Sequence, residues 1–216
     1  MSESGEKVYD IPDYMRMHPS MCYGKLGDGT EYFDCIYLML QAIIDNSIHE
    51  FKMGYGNQVE VTVDYGTGEM SVRDYGRGAP VEKLDDCFIA HDGGGMYTSD
   101  FKTDHVVPWR EAPKVSALSA SFLVRSVRDG EYGRLVVRRG KKVSYDIGEC
   151  SADERNGLLV RWTPDTTILP AFTVVEEHVV CRIKECAAAN PGLKFILNEQ
   201  EITVTEKVKK SLLHDE

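Results

Sequence analysis

Between Ala42 and Pro80 the chain changes its hydrophobic period once and then stops on glycines, and few folds accommodate that order. Ala42-Ile-Ile-Asp-Asn-Ser-Ile-His-Glu-Phe51 closes a run in which Ile36, Leu40, Ile43, Ile44, Ser47, Ile48 and Phe51 recur at helical spacing. The run spans Glu31 to Met53, with the Asp28-Gly29 turn and Thr30 as the expected helix entrance and Gly54 and Gly56 as its end. Val59 to Asp64 then alternates as a half-buried strand, Tyr65-Gly-Thr-Gly68 turns it, and Glu69 to Asp74 runs back. The returning strand stops at Asp74-Tyr-Gly-Arg-Gly78, with Pro80 just beyond. A helix bearing Asp45-Asn46 and a strand-end Asp before two glycines bring polar groups and open backbone together. Such a combination implies a nucleotide pocket.

The rest of the chain supplies strands around this unit. Val81 to Ala90 reads as a short helix, followed by His91-Asp-Gly-Gly-Gly95. Residues 96–113 lack periodicity and read as a long functional loop of the lid kind. Lys114 to Ser121 is a small-residue helix. Strands follow at Phe122–Arg128, Tyr132–Arg138 and Lys142–Ile147, with Asp129-Gly130 and Arg139-Gly140 as hairpin turns. A strand at Leu158–Thr163, an amphipathic helix at Val174–Ala189 and a hairpin of Leu193–Leu197 and Glu201–Thr205 close the chain. The predicted class is α+β, a two-layer sandwich with a mostly antiparallel mixed sheet and helices on one face. Residues 1–14 read as an N-terminal arm, 15–205 as one domain and 206–216 as a tail or the start of a further domain.

With 216 residues the chain can bury a substantial core. Its net charge of −10 argues against a stand-alone nucleic-acid binder, because neutralising phosphates needs a cationic face. The local exception is the run Arg125, Arg128, Arg134, Arg138, Arg139, Lys141 and Lys142, which suits either nucleic-acid phosphates or a charge-protected sheet edge. Six scattered cysteines without zinc spacing read as reduced, mostly buried thiols. No apolar run approaches the roughly 18 residues of a membrane span, and a cytoplasmic location is expected.

The ordered motifs resemble those of the GHKL (Bergerat-fold) ATPases, and within them the N-terminal ATPase domain of the B subunits of type IIA DNA topoisomerases. The residues that carry the resemblance are Pro19-Ser-Met-Cys-Tyr-Gly24, Asp28-Gly-Thr30, Asp45-Asn46 with Glu50, Asp74-Tyr-Gly-Arg-Gly78 with Pro80, and Gly157-Leu-Leu-Val-Arg-Trp162. They extend over about residues 15–198. The resemblance implies ATP and Mg²⁺ as cofactors. Asp74 becomes the reader of the adenine amine, Gly78 the point where backbone and a water approach the ring, and Asn46 the Mg²⁺ ligand. Glu50 and Arg77 pair at the pocket mouth, Ile43 and Pro80 belong to its apolar wall with Val72, Ala79 and Val160, and Lys142 falls at the rim. Implied partners are a topoisomerase A subunit, DNA and a second copy of the chain, with Tyr9 a candidate contact in the arm.

Three positions depart from the family pattern. The family's general-base Glu, four residues before the Asn, is Ala42 here, and Gln41 beside it is neutral and about 100° round the helix. The family's glycine-rich lid sequence is replaced by Trp109-Arg-Glu-Ala-Pro-Lys114, leaving Arg110 and Lys114 as candidate phosphate cations. The Thr that binds a water beside adenine is Leu158. The expected function is therefore an ATP-binding, nucleotide-operated dimerisation gate for DNA strand passage with little hydrolysis of its own. The alternative is a non-hydrolysing module that acts through protein partners; a histidine kinase or other GHKL branch fits the topoisomerase-like Pro19 and Asp28 elements less well.

Overall fold

The computed structural model describes residues 10–89 and 111–204; the expectations placed on 1–9, 90–110 and 205–216, Tyr9, Trp109 and Arg110 among them, lie outside the described residues. Eight strands form one sheet in the order β5-β4-β3-β6-β2-β1-β7-β8. Their ranges are β1 Gln58–Val63, β2 Met70–Asp74, β3 Ser119–Arg128, β4 Glu131–Arg138, β5 Lys141–Glu149, β6 Gly157–Pro164, β7 Lys194–Leu197 and β8 Gln200–Ile202. All neighbours are antiparallel except β1 with β7, which makes the sheet mixed, as predicted.

Alternation along each strand turns one face inward. Val61, Val72, Val160, Val124 and Leu135 form one inward row across β1, β2, β6, β3 and β4. The outward row beside it runs Glu60, Arg73, Leu159, Arg125 and Arg134, so only one face is apolar throughout. The helices pack on the inward face, around Trp162, Phe122, Phe195, Tyr37 and Phe88. All six cysteines are free, with Cys35, Cys87 and Cys186 buried, Cys22 and Cys150 half-buried and Cys181 exposed.

Six helices are described: α1 Ile11–Met17, α2 Ser20–Tyr23, α3 Cys35–Lys52, α4 Leu84–Phe88, α5 Ala112–Ala117 and α6 Glu176–Ala189. The longest, α3, begins four residues after the expected Glu31 entrance. Asp34 is the reason: its Oδ2 accepts from the Gly29 and Glu31 amides at 3.0 and 3.1 Å, which holds residues 29–31 in a loop. Thr30 is not a helix cap; its hydroxyl donates to Asp28 Oδ1 at 2.6 Å. The expected arm is also corrected at its C-terminal end. Asp10 caps α1 by accepting from the Asp13 amide at 2.9 Å, so residues 11–17 are helix.

Candidate functional site

Ala42, Asn46 and Glu50 lie four residues apart on α3 and so share one side of it. All three are buried, and Ile43 beside them is in the core. Asn46 is conspicuous because its Nδ2 is buried without a hydrogen-bond partner, an arrangement that costs free energy unless something else fills the need. The neighbouring stripe of α3 faces elsewhere. Gln41 Nε2 donates to Asp45 Oδ1 at 2.6 Å, and Gln41 Oε1 lies 3.4 Å from Nη1 of Arg182 in α6.

Asp74 ends β2 beneath this helix. Its Oδ1 accepts from the amides of Gly76 at 2.9 Å and Leu158 at 3.3 Å, and its Oδ2 accepts from the Ser47 hydroxyl at 3.0 Å. The carboxylate is buried, and no described residue forms an ion pair with it. Burial raises its pKa above the usual value, against the opposing pull of those hydrogen bonds. A carboxylate has about four lone-pair sites; three are taken, and the open one is on Oδ2.

The turn after Asp74 is held by Glu50. Glu50 accepts from Arg77 Nη2 at 2.8 Å, from Nε at 3.1 Å and from the Arg77 amide at 3.1 Å. The guanidinium also stacks 4.2 Å from the Tyr55 ring centre. Glu50 is thus a buried carboxylate with both oxygens held by Arg77, at the edge of the site. Gly78 has φ +77°, and a Cβ there would lie 2.5 Å from the Val127 carbonyl and 2.8 Å from the Ser126 hydroxyl. In this structure, then, the glycine lets the turn pack on β3. Ala79 beyond it is buried and accepts from Ser126 Oγ at 2.7 Å, and Pro80 is half-buried.

This geometry can be set beside known proteins. No family model matches the chain. The topoisomerase 4 B subunit of Borreliella burgdorferi is 33% identical over 189 residues, 87% of this chain and 31% of that protein. The DNA gyrase B subunit of Thermotoga maritima is 30% identical over 200 residues, 88% of this chain and 30% of that protein. The chain's homologues are the B subunits of DNA gyrase and topoisomerase IV. The fold agrees: the 43K ATPase domain of Thermus thermophilus gyrase B, solved with an aminocoumarin, superposes with a TM-score of 0.70 at 23% identity. That match covers 88% of this chain and 49% of the other. The chain spans about a third of the length of the curated relatives it matches.

Within this B-subunit-like domain, some residues singled out in the sequence come together and others do not. Asn46, Asp74, Glu50, Arg77, Ile43 and the 78–80 turn converge between α3 and the end of β2. Lys142 does not join them. It sits on edge strand β5, four places along the sheet from β2, and donates to Asp85 Oδ2 at 2.8 Å. Lys114, a candidate phosphate cation, donates to Glu111 Oε2 at 2.6 Å. The basic run is largely neutralised as well: Arg125 by Glu154, Arg128 by Asp129, Arg134 by Asp146 and Arg139 by Asp165, with Lys141 between Asp10 and Asp13.

Two hydrogen bonds to Asp74 had not been expected from the sequence, those of the Ser47 hydroxyl and the Leu158 amide. Ser47 is a small hydroxyl in the apolar stripe of α3, and a buried hydroxyl implies a partner. The Leu158 amide reaches Asp74 because β6 lies beside β2, an order no local pattern encodes. Among the described residues no group of three or more His, Cys, Asp or Glu is placed to hold a metal, and no helix is long and apolar enough to cross a membrane.

Proposed function

We propose that this B-subunit-like domain binds Mg²⁺-ATP through Asp74 and Asn46 and retains it with little or no hydrolysis. The observation that carries the reading is the Asp74 carboxylate, buried without a cation and with one lone pair left for a donor such as an exocyclic amine. Ile43, Val72, Ala79, Pro80 and Val160 supply apolar walls for a base. The unpartnered amide of Asn46 fits a cation-bound phosphate, its oxygen and nitrogen being exchangeable by a flip of the side chain. When bound, Mg²⁺ would neutralise phosphate oxygens there. Glu50 and Arg77 fix the turn that leads into the wall.

Slow hydrolysis follows from position 42. Alanine cannot take a proton from water, and Gln41 is turned toward α6. Relatives named as topoisomerase B subunits extend the proposal to a gate between two copies, working with an A subunit and DNA. Ala42 favours a gate set by nucleotide occupancy and by partners rather than by turnover.

Calorimetric titration with Mg²⁺ and a non-hydrolysable ATP analogue tests the binding claim. Saturable heat in the wild type that disappears in Asp74→Ala is expected; no heat in either chain would sink the nucleotide reading. Phosphate release by Ala42→Glu tests the second claim. General-base help is typically worth about 10²-fold or more, so turnover should rise by about that factor. An unchanged rate would place the deficit at the phosphate-binding segment instead.

A further inference from the structure

The short helix α1 is tied to the rest of the fold by six charges that sum to zero. Asp165, buried at the end of β6, accepts from Arg16 Nη2 at 2.6 Å and from Arg139 Nε at 3.2 Å. Lys141 donates to Asp10 and, at 2.9 Å, to Asp13. Asp10 is also the cap of α1, so one carboxylate both starts the helix and anchors it. Gly140 lies against Pro12, and a Cβ at that glycine would sit 2.7 Å from the proline ring. The register of β4 with β5 shifts between the Val136 and Val137 pairings, close to Lys141.

Arg16 has a second hand. Its Nη1 donates to the carbonyl of Ala117, the last residue of α5, at 2.8 Å. The Asp165 amide donates to the next carbonyl, Leu118, at 2.9 Å. The C-terminal end of α5 is therefore gripped by the same two residues that dock α1. At its other end α5 receives the Tyr23 hydroxyl at the Glu111 carbonyl, at 3.4 Å. Between these ties Val115 and Leu118 pack in the same core as Ile43 and Ile44 of α3, the helix that carries Asn46.

A seven-residue helix is too short to persist alone in water. Its helical form therefore depends on docking. We infer that α1 is a latch: docked through Arg16 and Asp165 it fixes α5 against α3 and favours nucleotide binding, and undocked it releases both. The inference rests on the nucleotide reading for its last step only. Arg16 and Asp165 act as positioning residues.

Hydrogen exchange on the full chain tests it, with Arg16→Gln and Lys141→Gln as variants. The reporters are the amides of Tyr14 in α1 and His18 at its C-terminal cap, bonded to the Asp10 and Tyr14 carbonyls, and the amide of Leu118, bonded to the Lys114 carbonyl. Arg16→Gln should speed exchange at all three and raise the Kd for the Mg²⁺-ATP analogue about fivefold, the low end of ordinary coupling between sites. Lys141→Gln, whose ion pairs lie at the surface, should give a smaller change in the same direction and serves if Arg16→Gln fails to fold. By reciprocity, the analogue should slow exchange at Tyr14 and His18 in the wild type, which a purely structural helix would not show. Faster exchange in α1 with Leu118 and Kd unchanged would overturn the inference, as would no effect of the analogue on α1. If the wild type binds no analogue, the nucleotide reading fails, and Leu118 alone decides whether α1 holds α5.

Discussion

Asp74 pays for its position in stability. Its charged form is disfavoured by burial, so its contribution to folding is most favourable below the unfolded value of about 3.9 and is lost as pH rises through its elevated folded value. Asn at this site keeps both amide bonds to its oxygen and can donate to Ser47. Asp74→Asn should therefore raise stability at pH 7 by about 1 kcal/mol, about 2–4 °C in Tm for a chain of this size. The gain should shrink as pH approaches 4 in a thermal melt, and a lower Tm at pH 7 would show that the hydrogen bonds outweigh the buried charge. At this scale the grouping of Asp74, Asn46, Glu50 and Arg77 was legible, because helical spacing and the Asp-x-Gly-x-Gly turn bring them together. That Lys142 lies apart from them, paired with Asp85, was not legible, because its neighbours depend on strand order and on a bulge that shifts the register beside it.

At the scale of elements, the strands were readable because their side chains alternate and their turns carry glycine or Asp-Gly. All eight occur where alternation places them, to within a few residues. The helices were harder. α1 shows no period because it has fewer than two full turns beyond its cap, and the start of α3 is set by Asp34 reaching back to Gly29. The turn from β2 to α4 is sensitive to change at Gly78. Gly78→Ala would combine a left-handed backbone with a methyl group 2.5 Å from the Val127 carbonyl, neither of which can relax without moving β3. A loss of about 2–4 kcal/mol is expected in denaturant unfolding; a loss under about 1 kcal/mol would mean that the turn can shift bodily.

For the whole molecule, acid sensitivity belongs to the charges that join distant segments. Burial pushes Asp165 up, but the hydrogen bonds from Arg16 and Thr167 outweigh it and leave the carboxyl below its usual value. Asp10 is lowered chiefly by Lys141. Both contribute stability above about pH 3.9 that is lost as pH falls through their depressed folded values, opposite in sign to Asp74. Asp165→Asn should lower Tm at pH 7, by about 4–8 °C if about 2 kcal/mol is lost, and the gap should close below pH 4. A gap that does not depend on pH would assign the loss to packing rather than charge.

The place of β6 between β2 and β3 has a consequence for how the chain is made. Until the ribosome has delivered residues 157–164, the β1–β2 hairpin and the β3–β4–β5 meander can pair only as separate pieces, each with an open edge where β6 will lie. Asp74 then lacks the Leu158 amide, and the wall lacks Val160. The Asp74 end of the candidate site is completed only when β6 pairs with both edges. Any ligand held between α3 and the end of β2 can therefore stabilise the finished sheet, but it cannot guide the early chain toward it.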